Sequence, residues 1–327
     1  MAVSSTPIKP KPTFVLVSGA WHGIEYWAMV AAALKVQGYV VRPVALRTAS
    51  PDPNLTFMDD LTAVRDVIRE ETKLLGRDVV VAAHSLGSVI GASAIKGFTA
   101  MTTEESLAPT NNGHNQDAGD GQATTTTITV AAPSFSIASQ GQENGAGHVI
   151  GFVTIATGFL PAGTSFYEVL GGAPPHLWRF SSKPKAMTTE DDDVGDDGVD
   201  STTRIFATLR VPARQAFYGD MAVEEGERWV ARLLPQNAAT ITTGEEHVHA
   251  GWLDVPCWSL VATEDRAFPY EGQMASLQAA RDAGADIWSE EIAASHSPML
   301  SRPNETADFL RRAAMAFREK ASSLWRK

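Results

Sequence analysis

Ser85 lies in Ala83-His84-Ser85-Leu86-Gly87, between an apolar run and a stretch of helical character. A serine on a sharp strand-to-helix turn needs small residues two positions before and two after it, because the turn presses those positions against neighbouring backbone. Ala83 and Gly87 meet that need. Such a serine becomes a nucleophile when an imidazole can take its proton and a carboxylate can hold the imidazole. Val261-Ala262-Thr263-Glu264-Asp265 supplies carboxylates at the end of one later apolar run, and Ala294-Ser295-His296-Ser297-Pro298 supplies a histidine after the next. The order Ser, acid, His suits three groups gathered beyond the carboxyl edge of one parallel sheet. The chemistry predicted is acyl transfer.

The chain has eight histidines. His22 is the rival to His296, because it follows the first apolar run, but it precedes Ser85 in the chain. Glu264 is the rival to Asp265. His84 sits inside the turn, where local packing or hydrogen bonding is expected. His247 and His249 have no third ligand at a recognisable spacing, so no metal is expected there. Asp191-Asp192-Asp193-Val194-Gly195 lacks the ligands that would complete a calcium loop and reads as a solvated acidic loop. Gly19 and Gly23 follow a strand, yet Trp21 spoils a dinucleotide fingerprint. Cys257, the single cysteine, excludes disulfide frameworks and cysteine-rich metal sites. No cofactor and no metal are implied.

The elements that must position these residues follow from periodicity. Residues 13–17, 39–46 and 78–83 read as strands. Trp27, Val30, Ala31 and Leu34, then Phe57, Leu61, Val64 and Ile68, recur at helical spacing, and residues 88–98 continue as a helix. This alternation predicts an α/β fold with a mostly parallel sheet covered on both faces. Residues 101–148, rich in Thr, Gly, Asn and Gln, read as a low-complexity insertion. A strand over 149–157 resumes the pattern. Residues 161–250 depart from it and read as a helical cap, with a helix over 222–234 and an acidic loop at 186–200. Strands over 257–263 and 286–292, a helix over 271–283 and a last helix after Pro303 complete one domain spanning 1–327.

Four motifs carry a resemblance: Leu16-Val17-Ser18-Gly19-Ala20-Trp21-His22-Gly23, the Ser85 turn, residues 261–269 and residues 294–298. Together they resemble the α/β-hydrolase superfamily. Within it they are most similar to the branch of plant methyl esterases, salicylate-binding esterases and hydroxynitrile lyases. The resemblance implies Ser85 as nucleophile, His296 as base and Asp265 as acid. It implies an oxyanion hole from the backbone N–H groups of Ala20 and Leu86. Ser18 stands where the branch usually has His, and Ala83 where Gly is commoner. Lyases of the branch typically carry Thr at the position of Gly19 and Lys after the catalytic His, here Ser297. Both residues favour ester hydrolysis.

The aromatic residues Trp21, Tyr26, Phe159, Phe166, Trp178, Phe180, Phe217 and Tyr218 lie in the oxyanion loop and the cap. More than half are expected to pack cap onto core. Trp21, Phe159, Trp178, Phe217 and Tyr218 are the candidates for substrate contact, which predicts an apolar or aromatic substrate.

The 327 residues carry 27 Lys and Arg against 38 Asp and Glu, a net charge of −11. Five acidic residues between 104 and 143 and seven between 190 and 200 account for the excess. The remainder is near neutral, with no basic patch for nucleic acid. No apolar run is long enough to span a membrane, and residues 1–13 lack a signal-peptide core, so a cytoplasmic protein is expected. The expected partner is a small ester or lactone. A lyase, dehydratase or cyclase on the same residues, and a ligand-binding receptor, are the alternatives.

Overall fold

The computed structural model describes residues 10–100, 146–170, 177–184 and 206–324. The expected insertion therefore lies outside the described residues except for 146–148, and the acidic loop lies outside them entirely. Strands along the described chain are β1 (Thr13–Val17), β2 (Val41–Val44), β3 (Val79–His84), β4 (Val149–Ile155), β5 (Trp178–Ser181), β6 (Phe206–Leu209), β7 (Gln236–Asn237), β8 (Cys257–Ala262) and β9 (Ile287–Ile292). Six form a parallel sheet in the order β2-β1-β3-β4-β8-β9. β1, β3 and β4 are buried along their whole length. That burial on both faces is why they read as continuous apolar runs rather than as alternation.

Helices α1 (Ala28–Val36), α2 (Phe57–Arg69) and α3 (Gly87–Ala94) link the first strands. The chain steps outward from β1 to β2 and then back across β1 to β3. Right-handed crossovers in opposite directions place α1 and α2 on opposite faces. The loops after β1 and β3 consequently diverge and leave a crevice between them at the carboxyl edge, where open α/β sheets bind ligands. Ser18 to Gly23 and Ser85 border that crevice.

The second strand is shorter than expected, because the Tyr39 N–H bonds back to Leu34 C=O of α1 (3.2 Å) instead of joining the ladder. α3 stops at Ala94, and Gly97, at φ 80°, turns the chain away.

Within 161–250 the helices α4 (Phe166–Val169), α5 (Ala213–Phe217), α6 (Val223–Val230) and α7 (Ala239–Thr242) are short. Alongside them stands an antiparallel sheet, β5-β6-β7, that periodicity does not signal. Two of its strands have four residues and the third only two. That is too short for alternation to register. After the cap come α8 (Tyr270–Asp282), α9 (Pro298–Ser301) and α10 (Pro303–Leu324), and α10 packs against α1.

Candidate active site

Ser85 sits between the end of β3 and the start of α3 at φ 50°, a left-handed conformation uncommon for a residue with a side chain. The turn leaves no room beside it: a Cβ on Gly87 would stand 2.2 Å from the Ser18 carbonyl oxygen. The α3 N-terminus, with its partial positive charge, begins immediately after the serine.

His296 follows β9 and Asp265 follows β8, each in the loop at the carboxyl end of its strand. His296 Nε2 lies 2.9 Å from Ser85 Oγ, and His296 Nδ1 lies 2.7 Å from Asp265 Oδ2. The Asp265 carboxylate is itself held. Its Oδ1 accepts the N–H groups of Ala267 (2.8 Å) and Phe268 (2.9 Å), and its Oδ2 also accepts Gln273 Nε2–H (3.2 Å). His296 is 2 % exposed and Asp265 6 %, so the bond between them is shielded from water. A serine hydroxyl so placed can lose its proton to imidazole as it attacks a carbonyl carbon. Glu264, by contrast, is exposed.

His22 does not bond to Ser85. Its Nδ1–H donates to Ala20 C=O (2.6 Å), and its Nε2 accepts the Tyr218 hydroxyl (2.9 Å). Burial pushes this imidazole down to about 4, opposed by the Ala20 carbonyl and aided by nearby His296, so it is neutral. His84 is also buried, and its pKa is depressed well below the ordinary value, chiefly by burial and then by His296 and His22.

The bonds of His84 form one directional chain. Gly19 N–H donates to Tyr26 Oη (2.9 Å), the Tyr26 hydroxyl donates to His84 Nδ1 (3.3 Å), and His84 Nε2–H donates to His296 C=O (2.8 Å). The loop after β1 is thus tied to the backbone of His296. Ser18, where the branch usually has His, donates its hydroxyl to Gly23 C=O (3.3 Å) and closes the same loop. Among the described residues, no acceptor takes the N–H of Ala20 or of Leu86. Both residues line the cavity in front of Ser85.

That cavity has a volume of about 210 Å3. Trp21, Trp178 and Phe217 line it, as do Phe166, Leu170, Leu177 and Ile241 from the cap and Ala267, Phe268 and Pro269 from the loop after β8. Thr157 is its polar member apart from Ser85 and His296, and its hydroxyl is already donated to Ser85 C=O (3.0 Å). Among the described residues, no Lys or Arg lines it.

Two expected contact residues lie elsewhere. Phe159 is clamped by Ser276, whose Oγ accepts the Phe159 N–H (2.7 Å) and donates to its C=O (3.2 Å). Its ring then packs edge-on against Trp252 (5.9 Å) in a separate crevice. Tyr218 is fully buried, because its hydroxyl must reach His22 and the ring follows. Leu170 and Ile241 carried no sequence signal, since an aliphatic residue in a short helix looks the same whether it faces core or cavity. Phe268 and Pro269 stood inside the Asp265 motif and were legible by adjacency.

No helix among the described residues is long and apolar enough to cross a membrane. Compared with known proteins, the chain is 20% identical over 305 residues to the alpha/beta hydrolase nvfD of Aspergillus novofumigatus, covering 93% of this chain and 97% of that one. It is 35% identical over 82 residues to methylesterase 7 of Arabidopsis thaliana, covering 23% of this chain and 31% of that one. Among solved structures it is similar to polyneuridine aldehyde esterase, with a TM-score of 0.58 at 18% identity, covering 92% of this chain and 98% of that one. At that identity the likeness speaks for the fold. The sequence matches the alpha/beta hydrolase family over residues 14–309, and together with the sheet order and the Ser85 turn this shows that the chain belongs to that family.

Proposed function

We propose that the protein is a serine hydrolase that cleaves a small apolar or aromatic carboxylic ester, or a lactone, through an acyl-enzyme on Ser85. The observation that carries this reading is the hydrogen-bonded line Ser85–His296–Asp265 at the floor of an apolar cavity. Ser85 Oγ attacks the ester carbonyl while its proton passes to His296 Nε2. Asp265 accepts from His296 Nδ1–H and stabilises the imidazolium. The carbonyl oxygen becomes an oxyanion facing the N–H groups of Ala20 and Leu86. The C–O bond breaks, and the alcohol leaves with the proton from His296. Water then adds to the acyl carbon by the same route and releases the acid. Loss of one oxyanion donor typically costs about 10²–10³ in rate.

Two features favour hydrolysis over lyase chemistry. A Cβ at Gly19 would stand 2.8 Å from His84 Nδ1, so the threonine of the branch's lyases has no room there. Ser297 follows His296, so no cation stands at that position to receive a leaving anion. The unionised wall supports a neutral substrate, since a buried unpaired charge is costly.

The test is hydrolysis of p-nitrophenyl and aryl methyl esters of graded chain length by wild type and Ser85→Ala. A phosphonate probe and mass spectrometry locate any adduct. Turnover that disappears in the variant, with the adduct on Ser85, is the expected result. Turnover that persists in Ser85→Ala would refute the assignment.

A further inference from the structure

Trp21, the residue after Ala20, is fastened to the cap at every polar atom it has. Its backbone N–H donates to Gln236 Oε1 (3.0 Å), its indole N–H donates to Ala207 C=O (3.1 Å), and its C=O accepts Leu234 N–H (2.8 Å). Trp21 stands at φ 62°, a left-handed conformation that a bulky residue keeps only when its surroundings impose it. Here those surroundings are β6, β7 and the segment leading into β7.

The Gln236 amide has two ends, and the core decides which one faces Trp21. Asp60 accepts the hydroxyls of Thr48 (2.6 Å) and Thr240, along with the Thr48 N–H (2.9 Å). With its proton committed to Asp60, Thr48 Oγ1 accepts Gln236 Nε2–H (3.0 Å). The second Nε2–H goes to Asn237 C=O (2.8 Å). The amide oxygen is left for the Trp21 N–H. Asp60 and Thr48 are fully buried and Gln236 is 1 % exposed, so water does not compete for these bonds.

We propose that Gln236, oriented by the buried Asp60–Thr48 pair, is a positioning residue that aims the Ala20 N–H at the oxyanion. The inference rests on the proposed role of Ser85 and Ala20. Its content is that the cap's root belongs to the oxyanion site. Gln236 touches neither substrate nor the reacting atoms and acts through the Trp21 backbone.

The test compares wild type, Gln236→Met, Thr48→Val and Thr48→Ser on a p-nitrophenyl ester. It also compares inhibition by an aryl trifluoromethyl ketone and by its methyl ketone counterpart. The two ketones share a shape, but the fluorinated one forms an anionic hemiketal on a serine. Gln236→Met and Thr48→Val should lower kcat by about 10- to 100-fold with little change in KM, short of the loss expected for removing a donor outright. They should weaken the trifluoromethyl ketone by a similar factor and the methyl ketone by less than about twofold. Thr48→Ser should restore most of what Thr48→Val loses. Equal weakening of both ketones, or unchanged kcat in Thr48→Val, would overturn the proposal while leaving the serine hydrolase reading intact. A wild type without Ser85-dependent turnover would bring down both. If Gln236→Met fails to fold, Thr48→Val decides alone, since it removes one hydroxyl and keeps the side-chain volume.

Discussion

The methyl group of Ala83 occupies space that the absent side chain of Gly91 leaves open. A Cβ on Gly91 would stand 3.0 Å from Ala83 Cβ and 3.3 Å from Phe152 Cε2. The commoner glycine at position 83 is thus replaced without distorting the Ser85 turn, because the helix behind it supplies the room. Gly91→Ala should destabilise the protein. Overpacking costs about 1–3 kcal/mol, while the helix gains only about 1 kcal/mol from losing a glycine. Adding Ala83→Gly should recover most of the loss, and thermal melts of the two single variants and the double variant read that coupling directly.

Asp265→Asn should lower kcat by roughly 10⁴-fold with little loss of fold. Its Oδ1 still accepts the N–H groups of Ala267 and Phe268, but the amide can present N–H to His296 and favour the wrong tautomer. Kinetics beside circular dichroism check both halves. A variant within tenfold of wild type would show that the carboxylate is not the orienting group.

Acid should weaken the fold through His22. Its folded pKa of about 4 lies below the ordinary 6.5 because burial disfavours the imidazolium. Between those values the unfolded chain binds a proton that the folded chain refuses. The contribution of neutral His22 is therefore complete above pH 6.5 and is lost as pH falls toward 4, by about 3 kcal/mol at most. His84 acts in the same direction. Denaturant titrations at pH 7, 5.5 and 4.5 should show the stability gap between wild type and His22→Gln narrowing with acid. A gap that stays constant would mean that His22 takes up its proton as readily in the fold as in the unfolded chain.

Replacing residues 101–145 with a short Gly-Ser linker should preserve ester turnover. The flanks already meet, since Val149 N–H donates to Phe98 C=O (2.9 Å). Residues 146–148 must stay: Gly147 N–H donates to Thr72 C=O (2.9 Å), and His148 C=O accepts Val79 N–H (2.8 Å). A folded but inactive deletion would give the segment a direct part in the reaction.

The parallel sheet was legible because burial on both faces writes itself into unbroken apolar runs such as Val79 to Ala83. Ser85, Asp265 and His296 were legible because each follows the end of a strand and their order matches the sheet's carboxyl edge. The polar chains behind them were not. Tyr26, Thr48, Asp60 and Gln236 are ordinary residues in sequence, and Thr48 and Gln236, at a separation of 188 residues, follow no spacing rule that would pair them. The split between Phe217, which lines the cavity, and Tyr218, which does not, turned on one hydroxyl needing a buried partner. Adjacency in sequence had treated the two alike.

The outer strand β2 has a consequence for self-association. Val40 and Val44 turn their carbonyls toward β1, accepting the N–H groups of Phe14 and Ser18. Pro43, one position out of phase with them, therefore faces the open side, where it has no N–H to offer. A second molecule laid along that border would find a gap in the row of donors it needs. At the opposite border β9 carries Glu290, whose carboxylate is paired with the Arg312 guanidinium, and Glu291, which accepts the Tyr270 hydroxyl (2.7 Å). The β2 margin of the six-stranded sheet is thus a poor template for another strand.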